Sequence, residues 1–104
     1  MAKYAPIHPG EILKTEFLDE LGISQYALSR DAGIDKAKLS RIIHGTSSIS
    51  ADTALRLAIY FGTSPDSWMN LQSRYNLEVA KDRGLRRIEQ EVHAYDSTMA
   101  SAQM

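Results

Sequence analysis

Residues 24–45, SQYALSRDAGIDKAKLSRIIHG, carry the pattern that decides the fold. Ser24 and Asp35 are residue types that cap the N-terminal ends of helices, so each predicts the start of a short helix. Gly33 lies between the two helices, where a turn requires a positive φ that glycine adopts at little cost. Gly45 is a suitable residue to end the second helix. Two helices joined by a tight glycine turn form the outline of a helix-turn-helix, a unit that reads DNA.

The second of these helices has two faces of opposite character. Leu39, Ile42 and Ile43 form an apolar face that can pack against the rest of the chain. The opposite face consists of small, polar and basic residues: Lys36, Ala37, Ser40, Arg41 and His44. An ordinary helical hairpin with a solvated face would also show a polar stripe. The glycine turn, the cationic outer face and the absence of Asp and Glu from that face together favour contact with a DNA major groove.

The overall composition limits the other functions. The chain has 104 residues and a formal net charge of −1, which suits one domain and is unusual for a protein that only coats DNA. The absence of cysteine excludes disulfides and thiolate metal sites. The start MAKYAPIHPGE lacks the long apolar core of a signal peptide, and no apolar run is long enough to cross a bilayer. We therefore expect a cytoplasmic protein that does not bind membranes.

Charge is segregated along the chain. Acidic residues crowd the first predicted helix: Glu11, Glu16, Asp19 and Glu20. Basic residues cluster on the proposed recognition helix: Lys36, Lys38 and Arg41. The acidic helix could bind a basic partner, although a solvated acidic helix is the more common explanation for such a run.

The sequence pattern predicts an all-α fold, with five helices in a DNA-binding domain over residues 8–77. A flexible lead over residues 1–7 precedes a first helix that begins near Pro9 and ends at Gly22. Its buried side is expected to carry Leu13, Phe17 and Leu21. Ser50 caps a fourth helix, ADTALRLAIYF, which we expect to be the central buried element. Its apolar residues are Ala54, Leu55, Leu57, Ala58 and Phe61.

The fifth helix opens with Ser64-Pro65-Asp66, which combines a cap, a first-turn proline and an acid at the positive end of the helix dipole. Trp68, Leu71 and Tyr75 follow at helical spacing. Aromatic residues in such a pattern belong in a core or an interface far more often than they stack on single-stranded nucleic acid.

The remaining residues predict a C-terminal helical extension over 78–94, as one further helix or two short ones. Leu85, Ile88 and Val92 give this extension an apolar stripe, and Gly84 is a weak point within it. Residues 95–104 are small and polar and predict a disordered tail.

No catalytic or metal site is indicated by the sequence. The histidines His8, His44 and His93 lie at none of the close helical spacings of metal ligands, and no cysteine can complete a site. Glu89 and Glu91 near His93 are adjacent charges of the kind that is usually just solvated. We therefore expect neither enzymatic activity nor a cofactor.

Three segments of the chain together resemble a known family. They are HPGEIL, then SQYALSRDAGIDKAKLSRIIHG, then ISADTALRLAIYFGTSPDSWMNLQSRYNLE, and they cover roughly residues 8–78. In these segments the chain resembles the HigA-type antitoxins of the Xre/Cro helix-turn-helix repressor superfamily. The resemblance implies a lambda-repressor-like core, a homodimer and a palindromic double-stranded DNA operator in the promoter of its own toxin-antitoxin pair. It also implies a protein partner, a small basic RelE-like toxin that cleaves messenger RNA at the ribosome.

The resemblance also implies roles for individual residues. The positions that face bases in the family are occupied here by Lys36, Ala37, Ser40 and Arg41. The positions that contact phosphate are occupied by Gln25 and Lys38, with His44 as a further candidate. Ser29 stands where many relatives have alanine. Its hydroxyl is expected to fit, to bond to the carbonyl four residues earlier and to leave the packing slightly looser.

Two functions remain open at this point. One is an antitoxin that represses its own promoter and neutralises a toxin. The other is a stand-alone phage-type Xre/Cro repressor without a toxin partner. A short toxin-sized reading frame directly beside the gene would favour the antitoxin.

Overall fold

Helices account for all the regular structure between residues 5 and 95, the part of the chain that the computed structural model describes. Helix α1 is one continuous run with three sections, Pro9–Ile12, a π-helical Leu13–Leu18 and Asp19–Leu21. The other four helices are α2 Gln25–Ala32, α3 Lys36–Ile43, α4 Ala51–Phe61 and α5 Pro65–Glu91. The all-α fold class with five helices is confirmed. None of these helices combines the length and apolarity needed to span a bilayer.

Side-chain caps set the helix starts where the sequence predicts them. The Ser24 hydroxyl accepts a hydrogen bond from the Ala27 N–H, which begins α2. The Asp35 carboxylate accepts from the Lys38 N–H, which begins α3. Ser50 caps α4 in the same way. Each bond satisfies a backbone donor that has no partner within the helix, so the boundaries follow from local chemistry.

The core lies where α1 to α4 and the first turns of α5 meet. Its largest fully buried side chains include Leu28, Leu39, Leu57 and Trp68. Trp68 also donates from Nε1 to the Thr63 hydroxyl at 2.8 Å, which satisfies its only polar atom. As expected, Trp68 is a core residue. Leu55 does not follow the prediction, because it is 52% exposed on the outer side of α4.

The buried side of α1 differs from the expectation at one position. Leu21 is 58% exposed, whereas Leu18 is buried together with Leu13. The π-helical section explains the difference, because its wider turns bring residues five apart onto one face. A regular helix with apolar residues at four-residue intervals is therefore the wrong description of this segment.

Helix α5 continues through the position where a separate extension was expected. It runs from Pro65 across residues 77 and 78 to Glu91, with a kink at Gly84, where the backbone angles are non-helical (φ −161°, ψ 19°). Gly84 is thus the weak point that the sequence predicts, whereas residues 92–94, predicted to be helical, lie beyond the end of the helix. Within α5 only Trp68 and Gln72 are buried. Of the predicted tail over residues 95–104, all but Tyr95 lie outside the described residues, as do the first four residues of the lead.

Candidate nucleic-acid interface

The inner face of α3 fixes the helix to the core. Leu39 and Ile42 are fully buried and Ile43 packs against the same cluster. Burial of each such side chain contributes roughly 1.5–3 kcal/mol relative to exposure. The outer face of α3 is therefore presented by a rigidly seated helix.

A close backbone contact between α1 and α3 adds to this seating. A Cβ built on Gly10 would overlap the carbonyl oxygen of Ile42 and lie 3.0 Å from the Cα of Ile43. Real Cβ atoms essentially never approach backbone so closely, so only glycine allows α1 to pack here. This role is not evident from the sequence, because Gly10 follows a first-turn proline and resembles part of an ordinary helix start.

The turn between α2 and α3 is closed by a reciprocal pair of hydrogen bonds. Gly33 has the expected left-handed conformation, with φ of +68°. The Ile34 N–H donates to the Ser29 carbonyl, and the buried Ser29 hydroxyl donates to the Ile34 carbonyl. The expected bond from Ser29 to the carbonyl four residues earlier is therefore wrong. The hydroxyl ties the turn together, a contact that alanine could not make.

The proposed base-reading residues lie together on the outer face of α3. Lys36, Ala37 and Arg41 are exposed and Ser40 is half-buried. The Arg41 guanidinium donates from Nε to the hydroxyl of Ser47, in the loop after α3, at 3.3 Å. This bond is exposed, so Arg41 can exchange it for another acceptor at little net cost.

The proposed phosphate contacts surround that face. Gln25 is the first residue of α2 and is half-buried. Lys38 is half-buried and its Nζ lies 3.5 Å from the hydroxyl of Ser50 at the start of α4. The exposed His44 places Nδ1 2.7 Å from the Ser40 carbonyl oxygen. A carbonyl can only accept, so Nδ1 carries the proton in this contact.

The structure adds an aromatic residue that sequence reasoning missed. The Lys36 Nζ lies 4.6 Å from the centroid of the Tyr26 ring, and the Arg30 guanidinium lies 5.7 Å from it. Arg30 is also paired with Asp31 at 2.9 Å. The hydrogen bond and the opposite charge raise the pKa of Arg30, and the same bond lowers the pKa of Asp31. Spacing alone could not reveal the aromatic contact, because it depends on how α2 and α3 cross.

His8 joins the start of α1 to two other elements. Its Nδ1 accepts a hydrogen bond from the Gly10 N–H at 2.9 Å and so caps the helix. Its ring packs edge-on against Tyr75 of α5, with the centroids 4.8 Å apart. Burial lowers the pKa of the His8 imidazole below its ordinary value, and a hydrogen bond with the Ser47 backbone opposes this in part. The neutral imidazole is the form that can accept from Gly10.

Between residues 5 and 95, no cluster of three or more His, Asp or Glu side chains could hold a metal ion. The residues that the structure brings together are thus a surface of cations, amides and hydroxyls around one exposed helix face. Such a surface suits the phosphates and base edges of a DNA groove.

Comparison with known proteins gives the same assignment. A family described as Helix-turn-helix matches residues 15–68. Virulence-associated protein I of Dichelobacter nodosus is 43% identical over 75 residues, which cover 72% of this chain and 69% of that protein. Antitoxin HigA-1 of Vibrio cholerae is 35% identical over 81 residues, covering 78% and 76% of the two chains. The structure of Pseudomonas aeruginosa antitoxin HigA with the higBA promoter superposes with a TM-score of 0.84 at 45% identity, over 88% of this chain and 99% of that one. The chain therefore belongs to the helix-turn-helix family of HigA-type antitoxins.

Proposed function

We propose that this chain is the antitoxin of a type II toxin-antitoxin pair, a DNA-binding autorepressor that also neutralises a RelE-like, mRNA-cleaving toxin. The observation that carries the DNA-binding part is the exposed outer face of α3, which is free of acidic residues and seated on the buried Leu39 and Ile42. Family membership and the acidic α1 support the toxin-binding part.

In this proposal α3 enters the major groove of a palindromic operator. The residues that read bases are Lys36, Ala37, Ser40 and Arg41, and those that contact phosphate are Gln25, Lys38 and His44. Arg41 lies one turn into α3, where a guanidinium can reach O6 and N7 of guanine in a bidentate fork. Lys38 lies toward the start of α4 and suits a backbone phosphate, which carries no sequence information.

The variants Arg41→Ala and Lys38→Ala test these roles on two duplexes. One duplex is the sequence that the wild-type protein selects from a randomised library, and the other is its scrambled form. We expect Arg41→Ala to cost about 1–3 kcal/mol on the selected duplex and to relax the preference at one base pair. Lys38→Ala should lower the affinity for both duplexes by the same factor. It should also reduce the slope of log affinity against log salt concentration by roughly one unit. Equal losses on both duplexes for Arg41→Ala would make Arg41 a phosphate clamp.

Recognition helices act in pairs one DNA turn apart, about 34–36 Å, so we propose a homodimer. The apolar stripe at the C-terminal end of α5 is the candidate interface, since Leu85 and Ile88 are each 40% exposed and Val92, which follows the helix in an extended conformation, is 64% exposed. Light scattering at tens of micromolar should give twice the mass of the chain. A chain truncated after Asn76 should remain monomeric, and a truncated chain that still dimerises would move the interface elsewhere.

The toxin-binding surface is proposed to include α1, whose acidic residues Glu11, Glu16, Asp19 and Glu20 are all exposed. Lys14 is paired with Asp19 at 3.0 Å, so part of this charge is already compensated. The double variant Glu16→Lys with Glu20→Lys should slow association with a basic toxin. Its control is Glu89→Lys with Glu91→Lys, which changes the same charge on α5.

The assay for neutralisation is co-expression with the product of the neighbouring gene. Growth should be rescued and a complex should purify. If neither happens while the chain still selects a DNA duplex, the stand-alone repressor is the correct function.

A further inference from the structure

Tyr26 is 56% exposed although it lies beside the surface assigned to DNA, and two cations approach its ring. The two cations are not equivalent. Arg30 lies farther from the ring, at 5.7 Å, and its guanidinium is held by the Asp31 carboxylate through two hydrogen bonds. Lys36 lies closer, at 4.6 Å, and is the first residue of α3. The ring therefore bridges α2 to the N-terminal end of the recognition helix.

A shallow cavity of about 170 Å³ lies at this junction and is lined by Gln25, Tyr26, Ser29 and Lys36. Ser29 closes the turn between the two helices from inside, and Gln25 is a proposed phosphate contact. Lys36 thus lines one cavity together with three residues of α2. A lysine on an isolated helix would instead sample many rotamers, since its stem has four rotatable bonds.

We propose that Tyr26 is a positioning residue for DNA recognition, whose ring holds the Lys36 ammonium at the junction of α2 and α3 so that it contacts one place in the operator. This inference rests on the proposed DNA-binding function. The ring occupies one side of the ammonium and leaves other N–H donors for a base edge. Because Lys36 is ordered before it meets DNA, less side-chain freedom is lost on binding.

The physical basis of this role is the ring and not the hydroxyl. A cation over an aromatic face is attracted by the quadrupole of the ring, which phenylalanine shares with tyrosine and leucine lacks. Tyr26→Phe is therefore the matched control for Tyr26→Leu. A second control places both changes in a Lys36→Met background, which keeps most of the lysine stem and removes its charge.

The test measures the ratio of affinities for the library-selected duplex and its scrambled form. We expect Tyr26→Leu to lower this ratio by about two- to five-fold, as expected for loss of one exposed cation–π contact. Tyr26→Phe should retain the ratio, and Tyr26→Leu should have no further effect in the Lys36→Met background. In the free protein, the ε-methylene protons of Lys36 should show an upfield ring-current NMR shift in the wild type and in Tyr26→Phe, but not in Tyr26→Leu.

Four results would overturn the inference. If Tyr26→Phe loses as much as Tyr26→Leu, the hydroxyl contacts DNA directly. If Tyr26→Leu lowers the affinity ratio by the same factor in the Lys36→Met background, the ring itself contacts DNA. If the NMR shift is absent from the wild type, or Tyr26→Leu leaves the ratio unchanged, Lys36 is not held by the ring. A wild-type protein that selects no duplex from the library would instead refute the proposed DNA-binding function, which separates the two failures.

Discussion

The two halves of α5 are parts of one helix with opposite surroundings. The first half carries Trp68 and Gln72, which are 2% and 3% exposed in the core. In the described residues after Gln72 no side chain is buried, and Leu77, Leu85 and Ile88 are all exposed. The first half is thus stabilised by contacts within its own chain. The second half carries an apolar stripe that the described residues leave exposed, so the same substitution should have different consequences in the two regions.

The largest difference in stability is expected between alanine substitutions at two glycines, Gly10 and Gly84. Gly10→Ala would force a Cβ into the Ile42 carbonyl, and because neither backbone can give way locally, α1 and α3 must move apart. We expect a loss of about 4 kcal/mol or more in the free energy of unfolding. Gly84→Ala would meet only the flexible guanidinium of Arg87, at 3.2 Å, and should change the stability by less than about 1 kcal/mol. Urea unfolding monitored by circular dichroism measures both, and similar losses would contradict the contrast.

Two leucines give the next contrast. Leu57→Ala removes a fully buried side chain and should cost about 3 kcal/mol, in the usual range for a core cavity. Leu85→Ala acts on a side chain that is 40% exposed, so its cost at high dilution should stay below about 1 kcal/mol. It should instead raise the dimer dissociation constant in sedimentation equilibrium. A loss for Leu85→Ala that is equally large at all protein concentrations would place this leucine in the core of its own chain.

Two glutamines on α5 allow the loss of a buried hydrogen-bonding side chain to be compared with the loss of an exposed one. The Ile49 N–H donates to the Gln72 side-chain carbonyl at 2.7 Å, across 23 residues of chain. Gln72→Leu leaves this buried donor without an acceptor and should cost about 2 kcal/mol. The exposed Gln90, changed to Leu in the same way, should have almost no effect on the melting temperature. If Gln72→Leu left the stability unchanged, water or a rearranged loop would have to replace the hydrogen bond.

The smallest contrast concerns pH and two histidines. Because burial lowers the folded-state pKa of His8, its contribution to stability is present above its unfolded value of 6.5 and is lost as the pH falls through the folded value. His8→Asn keeps a helix-capping side chain that does not titrate, so the decline in stability below neutral pH should be shallower. The exposed His93→Asn is the control and should follow the wild type. Identical pH profiles for the wild type and His8→Asn would show that His8 does not contribute.

Much of the fold could be predicted because it depends on residues close together in sequence. The caps Ser24, Asp35 and Ser50 accept hydrogen bonds from N–H groups three residues later, so their roles can be predicted from the sequence alone. The two faces of α3 follow from its period in the same way. What the sequence could not show depends on contacts between helices. The close approach at Gly10 is an example, because it requires knowing that α3 lies against that helix start.

The candidate site likewise combines features set by neighbouring residues in the sequence with features set by contacts between helices. The outer face of α3 is a local feature, and its residues Lys36, Ala37 and Arg41 are exposed, as the helical period predicts. The contact of Tyr26 with Lys36 depends on the crossing of α2 and α3. The Ser29 bond to the Ile34 carbonyl spans the turn itself, and the sequence offered a more local partner that the structure does not use. The roles of these residues toward DNA remain predictions.

The bond between Gln72 and Ile49 also has a mechanical consequence. From Trp68 to the kink at Gly84, α5 extends over about 24 Å, at 1.5 Å per residue. A tilt of about 10° at the anchored end would displace the other end by about 4 Å, more than the 3.4 Å rise of one base pair. In the proposed dimer, joined through the far end of α5, such a tilt would change the separation of the two recognition helices by a similar amount. The buried contacts of Trp68 and Gln72 would then help to hold the two recognition helices of the proposed dimer at one fixed spacing along the DNA.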